Sequence, residues 1–395
     1  MYLMPLPFLL GTLAGLASMA LFASGIYIIW ARYAGEAVAG ASLLWAGAVL
    51  LWSAFGRFAV LALYPKGDDE PHVIRGEPGR KIQAPDGSIL HIETDGLPDR
   101  PIVILTHGWA LNNSAWYYVR KHLSPHFRLV MWDLPGLGRS TQPADGDYII
   151  ARLAEDLRRV IDEMGKKQVT LVGHSMGGMI ILTLCRLHPD LLGRKVTGIV
   201  LMNTTHTWPL KTMIGGSLMR LLRWPVLEPL LILTILFWPL IWLMNWQSYL
   251  NGSSHIVNRF TSMSSDVTRG QLEFATRLNV KDRPSVVAKG LLAMLRWDET
   301  GTPARIPVPT RVVAADADRL TLPEAAIEMA QMLPQGDVMG ISPAGHLGPI
   351  EEGLQYSEAI AELVHWTESN PPAHQPEPRR LEPRDHNDRN DNGQN

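Results

Sequence analysis

Charge is what the chain lacks at its start: between Met1 and Arg32 there is no charged side chain. Cysteine is almost missing too. Cys185 stands alone, which excludes an intramolecular disulfide framework and a cysteine-based zinc site. Across 395 residues, 36 basic and 38 acidic side chains nearly cancel, and no Lys/Arg cluster breaks the balance. Neither nucleic acid nor another polyanion is therefore implied as a partner, and no metal set is apparent.

What fills the uncharged start is apolar. "LPFLLGTLAGLASMALFASGIYIIW" is longer than the roughly 20 residues that cross a bilayer. It has no basic n-region and is too long for a signal peptide. A second apolar stretch, 37–56, follows a short turn holding Arg32 and Glu36, and Arg57 marks its expected end. The reading is a transmembrane hairpin over residues 1–66, with helices at about 5–31 and 37–56 and the lipid bilayer as partner. Two crossings leave both ends on one side. Arg57, Lys66, Arg75, Arg80 and Lys81 outnumber Arg32 in the turn, which favours a multi-pass membrane protein whose main body faces the cytoplasm. At the other end, residues 368–395 are polar and Pro-rich and are expected to form a disordered tail.

Between these ends the pattern alternates. "KIQAPDG" and "SILHIET" flank a Pro-Asp-Gly turn and predict an antiparallel hairpin. "PIVILT" (101–106), "FRLVMWD" (127–133), "QVTLVG" (168–173), "VTGIVLMN" (196–203), "PTRVVAAD" (309–316) and "GDVMGIS" (336–342) are apolar enough to be buried on both faces. Amphipathic stretches such as 149–165 separate most of them. The fold class is α/β, a mostly parallel sheet with helices on both faces. Its core spans 81–203 and 304–367, and the long interval 204–303 is an inserted helical cap, since a structureless loop of that length is improbable.

"LVGHSMGG" places Gly173, Ser175 and Gly177 where a strand turns into a helix. G-x-S-x-G in that context lifts a serine hydroxyl above the sheet, and flanking glycines keep the turn uncrowded. His174, next to the serine, would point elsewhere. Serine needs a base to take its proton and an acid to orient that base. "SPAGHLGP" offers His346 in a small-residue loop after the last strand, unlike His188, His365, His374 or His386. For the acid, Asp316 and Asp318 compete at the end of "RVVAAD". That chemistry requires no cofactor and no metal.

With these residues placed, 81–367 resembles the α/β-hydrolase-fold superfamily, and a serine hydrolase of lipase or esterase type in particular. The family pattern after strand seven is similar to G-x-x-D-x-x-x-P; here Ala315 takes the glycine's place and the resemblance puts the acid at Asp318. Some relatives carry the acid after strand six, where this chain has Asn203. "LTHGWALNNSAW" resembles the family's His-Gly-x loop, which implies an oxyanion hole from the backbone N–H groups of Trp109 and Met176, with His107 organising the loop. "DLPGLGRS" (133–140) matches another family loop, with Asp133 structural. Relatives that open epoxides or displace halide use Asp as nucleophile, which Ser175 argues against. The resemblance implies cleavage of a hydrophobic ester substrate; acyl transfer, haloperoxidase-like or carbon–carbon-bond hydrolysis keeps serine too, and a catalytically inactive scaffold is the remaining rival.

Within the insert, "PLLILTILFWPLIWLMNW" (229–246) is uncharged. It is not a lone crossing: the strands before and after it share one sheet, so the chain must return to the same side. Pro229 and Pro239 also interrupt any long helix. Trp238, Trp242 and Trp246 recur every four residues, on one helical face. Two readings stand, a lid helix packed on its own domain or a lid dipping into the headgroup layer to admit lipid to Ser175, and the hairpin favours the second.

Overall fold

A computed structural model describes residues 5–73 and 79–370, so Arg75 and the expected tail beyond residue 370 lie outside the described residues. Two helices come first, α1 (Pro5–Tyr33) and α2 (Gly40–Leu61). Both are long and apolar enough to cross a membrane. Arg57 does not end the second helix, as expected from sequence. It stays inside α2, its guanidinium resting 4.7 Å from the ring centre of Phe58 and 4.9 Å from that of Tyr249. Rings on either side offer the cation a place without breaking the helix.

The sheet has eight strands: β1 (Arg80–Gln83), β2 (Ile89–Asp95), β3 (Ile102–Thr106), β4 (Arg128–Trp132), β5 (Val169–His174), β6 (Val196–Met202), β7 (Thr310–Ala315) and β8 (Gly336–Ile341). Their order is β1-β2-β4-β3-β5-β6-β7-β8, with the first two pairings antiparallel and the rest parallel. Every residue of β3, β5 and β6 is buried, as strands covered on both faces require. β8 departs from that expectation. It is an edge strand, and only Ile341 in it is buried.

Helices α3 (Tyr117–Leu123) and, at the far end of the chain, α14 (Gly353–Ser369) cover one face through Val119, Leu123, Tyr356, Ile360 and Leu363. The other face carries α4 (Ile150–Asp162), α5 (Met176–Leu187) and α12 (Pro323–Met332). A short α13 (Gly348–Glu351) precedes α14.

Between β6 and β7 lie α6 (Gly216–Leu222), α7 (Glu228–Leu236), α8 (Trp238–Leu250), α9 (Ser253–Ser262), α10 (Arg269–Lys281) and α11 (Pro284–Met294). The uncharged stretch 229–246 is not one helix: α7 and α8 meet at Phe237 with a bend of 100°. Pro239 falls in the first turn of α8, where its missing N–H leaves no bond unmade.

The hairpin does not stand apart from this cap. Gly15 lets Met244 approach α1, and Ser18 Oγ meets Ser253 Oγ at 3.1 Å and Ser248 Oγ at 3.5 Å. Gln247 Nε2 donates to the carbonyl of Ser53 in α2 (3.1 Å). Phe8 and Leu61 are buried in the same apolar cluster as cap residues Leu227, Leu231 and Phe274.

Candidate active site

Ser175 sits between the last residue of β5 and the first of α5, at φ 53° and ψ −120°. A side chain held at positive φ stores strain of order 1–3 kcal/mol, tolerated because the surroundings leave no alternative. Those surroundings are tight. A Cβ on Gly173 would come within 2.6 Å of the Gly177 backbone, and one on Gly177 would collide with the Thr106 carbonyl. Backbone crossing at van der Waals contact is what G-x-S-x-G is for.

His346 Nε2 lies 2.9 Å from Ser175 Oγ, and His346 Nδ1 lies 2.9 Å from Asp318 Oδ2. With Nδ1–H donating to the carboxylate, Nε2 is left to accept the serine proton. Asp318 also accepts the N–H groups of Leu320 (2.8 Å) and Thr321 (3.0 Å) and the Thr321 hydroxyl (2.7 Å). Burial pushes this carboxyl up, but His346 beside it and the hydrogen bonds from His346 and Thr321 outweigh that and hold it below the usual carboxylate range. Asp316 is turned away: its carboxylate accepts the Ser342 hydroxyl (2.6 Å) and the Ala344 N–H (3.0 Å), pinning the turn after β8. Of the two competing aspartates, the structure brings Asp318 to the histidine.

The amide N–H groups of Trp109 and Met176, both buried, take no acceptor among the described residues. Neither donor is committed to another described group of the chain. The Trp109 side chain faces the cap. Its Nε1 donates to the Val287 carbonyl in α11 (3.0 Å), Gly290 of α11 leaves room for its ring, and Tyr148 meets it edge-on at 5.5 Å. His107 Nδ1–H donates to the Gly108 carbonyl (2.8 Å) while Nε2 accepts the Leu134 N–H (3.0 Å); burial lowers its pKa. Asp133 accepts the N–H groups of Asn113 and Arg139 (2.8 and 2.9 Å), joining the two loops.

Three partners of the histidine loop escaped the sequence reading. His174 Nε2–H donates to the His346 carbonyl (2.7 Å), and burial lowers its pKa to about 3, so it is a neutral strut. Asn203 Nδ2 donates to the Gly345 carbonyl (2.8 Å) and its Oδ1 accepts from Tyr356 (2.7 Å). Glu351 takes the N–H of Gly345 (3.2 Å) and that of Ser264 in the cap (2.6 Å). Burial lifts its carboxyl to about 7. Only Glu351 carried a signal in sequence, a carboxylate five residues beyond His346.

The three cap tryptophans share α8 and differ in what covers them. Trp238 has the Arg283 guanidinium 3.9 Å from its ring centre, and Trp246 packs edge-on against Tyr249. Only Trp242 is exposed among them; the apolar surface of this segment is formed with Leu233, Leu236, Phe237, Leu240 and Leu243. The three rings follow one another along α8, Trp242 and Trp246 meeting at 6.0 Å, and they differ in exposure because Arg283 covers Trp238 and Tyr249 flanks Trp246.

Ser175 and His346 are sealed beneath the cap, at 1% and 0% exposure. Among the described residues no group of three or more His, Cys, Asp or Glu side chains is placed to hold a metal.

Residues 101–220 match the sequence model of the alpha/beta hydrolase fold. A pimeloyl-[acyl-carrier protein] methyl ester esterase of Vibrio vulnificus is 35% identical over 108 residues, which are 27% of this chain and 39% of that protein. The chain thus spans about two fifths of the length of the curated relatives it matches. Among solved structures, a thermophilic esterase from Thermogutta terrifontis aligns with a TM-score of 0.58 at 22% identity, covering 73% of this chain and 99% of its own. A membrane phospholipase A described as a bacterial virulence factor aligns with a TM-score of 0.58 at 18% identity, over 73% and 86% of the two chains.

Proposed function

From a chain that has the α/β-hydrolase fold, we propose a membrane-anchored serine hydrolase that cleaves carboxylic esters of hydrophobic acyl chains. The observation that carries this reading is the continuous contact from Asp318 through His346 to a strained Ser175. Ser175 Oγ attacks the acyl carbonyl as its proton passes to His346 Nε2. Asp318 holds the ring in the needed tautomer and balances the imidazolium. Negative charge gathering on the carbonyl oxygen falls to the N–H groups of Trp109 and Met176. As the tetrahedral adduct collapses, the ester C–O bond breaks and the alkoxide takes the proton from Nε2. Water, deprotonated by the same nitrogen, then releases the acid and restores Ser175.

Three features support an apolar acyl group. The cap that covers the nucleophile buries apolar side chains that include Leu210, Met213, Met219 and Leu227. The hairpin α1–α2 would hold this cap beside a reservoir of acyl chains. Relatives of like sequence or fold include a methyl ester esterase and a membrane phospholipase A.

The test is a series of soluble and micellar esters of increasing acyl length, assayed with the full chain in detergent, beside labelling by a fluorophosphonate. Labelling that is lost in Ser175→Ala, with activity rising from acetyl to lauroyl esters, is expected. Failure to label the wild-type chain would end the hydrolase reading, and a preference for acetyl esters would end the hydrophobic-acyl part of it.

A further inference from the structure

The lengths of the helices pose a problem for a hairpin acting alone. On α1, the outermost hydrogen bonds to the cap among the described residues are at Ser18, against Ser248 and Ser253. From there to Arg32 is 14 residues, or about 21 Å of helix at 1.5 Å per residue. A bilayer's hydrocarbon is about 30 Å thick. What stands clear of the cap is too short to cross.

The missing length lies in the cap. α8 runs alongside α1 in the same direction, Met244 by Gly15 and Ser248 by Ser18. Counting from Arg32 back to Gly15, and then from Met244 back along α8 to Trp238, adds 17 and 6 residues, a belt of about 34 Å. From Pro229 to Leu250 no side chain is charged. Leu240 and Leu243 are 52% and 53% exposed, and Leu10, Leu13 and Leu16 are exposed on the neighbouring stretch of α1. Arg57 lies within the span of this belt, received by the rings of Phe58 and Tyr249, and further charge stands at its edges. Arg283 stacks on Trp238 at one end of α8, and Arg259 and Arg319 stand beside Phe260 at the end of α9, each bonded to a carbonyl there. Rings and guanidinium groups at the limit of an aliphatic surface suit the boundary between acyl chains and headgroups. The apolar faces of cap and hairpin are continuous, so one covering serves both.

We propose that α8, with the α7–α8 elbow, lies in the acyl-chain region of the near leaflet alongside the hairpin, as a re-entrant element of the cap and not a lid at headgroup level. The proposal rests on the reading of α1–α2 as a membrane hairpin and goes beyond it by assigning depth to the cap. Its partner is the hydrocarbon of the bilayer itself.

Cys185 is buried and is the only cysteine, so single cysteines can be labelled selectively. In the full chain, Leu243→Cys, Leu240→Cys, Ile26→Cys in the hairpin and Val338→Cys on β8 would each carry an environment-sensitive fluorophore in phosphatidylcholine nanodiscs. Quenching is compared for lipids spin-labelled midway along the acyl chain, lipids spin-labelled at the headgroup, and aqueous iodide. The expected result is that Leu243→Cys and Leu240→Cys follow Ile26→Cys, quenched several-fold more by the acyl label than by the headgroup label, with Val338→Cys reached only by iodide. Headgroup or iodide quenching at both α8 positions, with Ile26→Cys still quenched by the acyl label, would overturn the proposal and leave the hairpin anchor standing. Loss of acyl quenching at Ile26→Cys as well would remove the anchor reading itself.

Discussion

The sheet and the cap hold their parts by opposite means. Around Ser175, position is set by backbone: strand ends, a forced positive φ and carbonyls that leave no space for a side chain. Each member of the histidine loop is tied more than once, through Asn203, His174 and Glu351. The cap meets the hairpin through small residues and hydroxyls, Gly15, Ser18, Ser248 and Ser253. Such a seam gains little from apolar transfer if lipid replaces the partner, and depends on close packing instead. The rigid site and the small-residue seam are therefore separated in the chain.

The contrast is broken most severely from the sheet side. Ser175→Ala should lower ester turnover by about a million-fold while leaving the melting temperature near that of the parent, measured by kinetics and calorimetry. Asp318→Asn should cost roughly ten-thousand-fold in turnover, as loss of the orienting acid does. Asp316→Asn, by contrast, should act on stability and change turnover only a few-fold. A reversed ranking in the rate assays would mean that the wrong carboxylate has been placed against His346.

From the cap side the effects should fall on stability. A side chain at Gly56 would press within 2.6 Å of the Asn251 carbonyl, so Gly56→Val should cost about 3 kcal/mol by overpacking. Rates on a short soluble ester should stay within a few-fold, provided they are measured below the lowered melting point. A collapse of kcat without loss of stability would show that the seam is coupled to the chemistry.

The smallest effect joins the two regions, through Glu351. Burial raises its carboxyl from the ordinary 4.5 to about 7, so the folded chain keeps a proton that the unfolded chain has released. Stability from this group is full below pH 4.5 and is lost as pH rises through about 7. Glu351→Gln, neutral throughout, should flatten that stretch of the stability–pH curve by at most about 3 kcal/mol, read from denaturant midpoints at a series of pH values.

Much of the site was legible because its chemistry demands local spacing. Gly173, Ser175 and Gly177 must be neighbours for the turn to form, and His346 must follow a strand end. Asn203 with Tyr356, and Glu351 with Ser264, are joined only by folding, across 153 and 87 residues. No periodicity announces such pairs. The helix boundaries failed for a different reason. Arg57 looked like a stop because sequence shows its charge and not the rings of Phe58 and Tyr249 that receive it. Pro239 did signal the break before α8, but tryptophans spaced by four cannot reveal that Arg283 covers one of them.

Trp109 belongs to both regions, its amide without an acceptor among the described residues and its indole bonded to Val287 of α11. A shift of α11 that carries the indole with it would also displace the amide. Occupancy at one end is then a thermodynamic variable at the other. On the proposed function, whatever factor a lipid surface contributes to the binding of a transition-state analogue on Ser175, the analogue must return to the affinity of the cap for lipid, because coupling between two binding sites is reciprocal. On that proposal an inhibitor seated against the Trp109 and Met176 amides would be an effector of membrane attachment, and vesicle partitioning with and without it measures the same coupling from the opposite side.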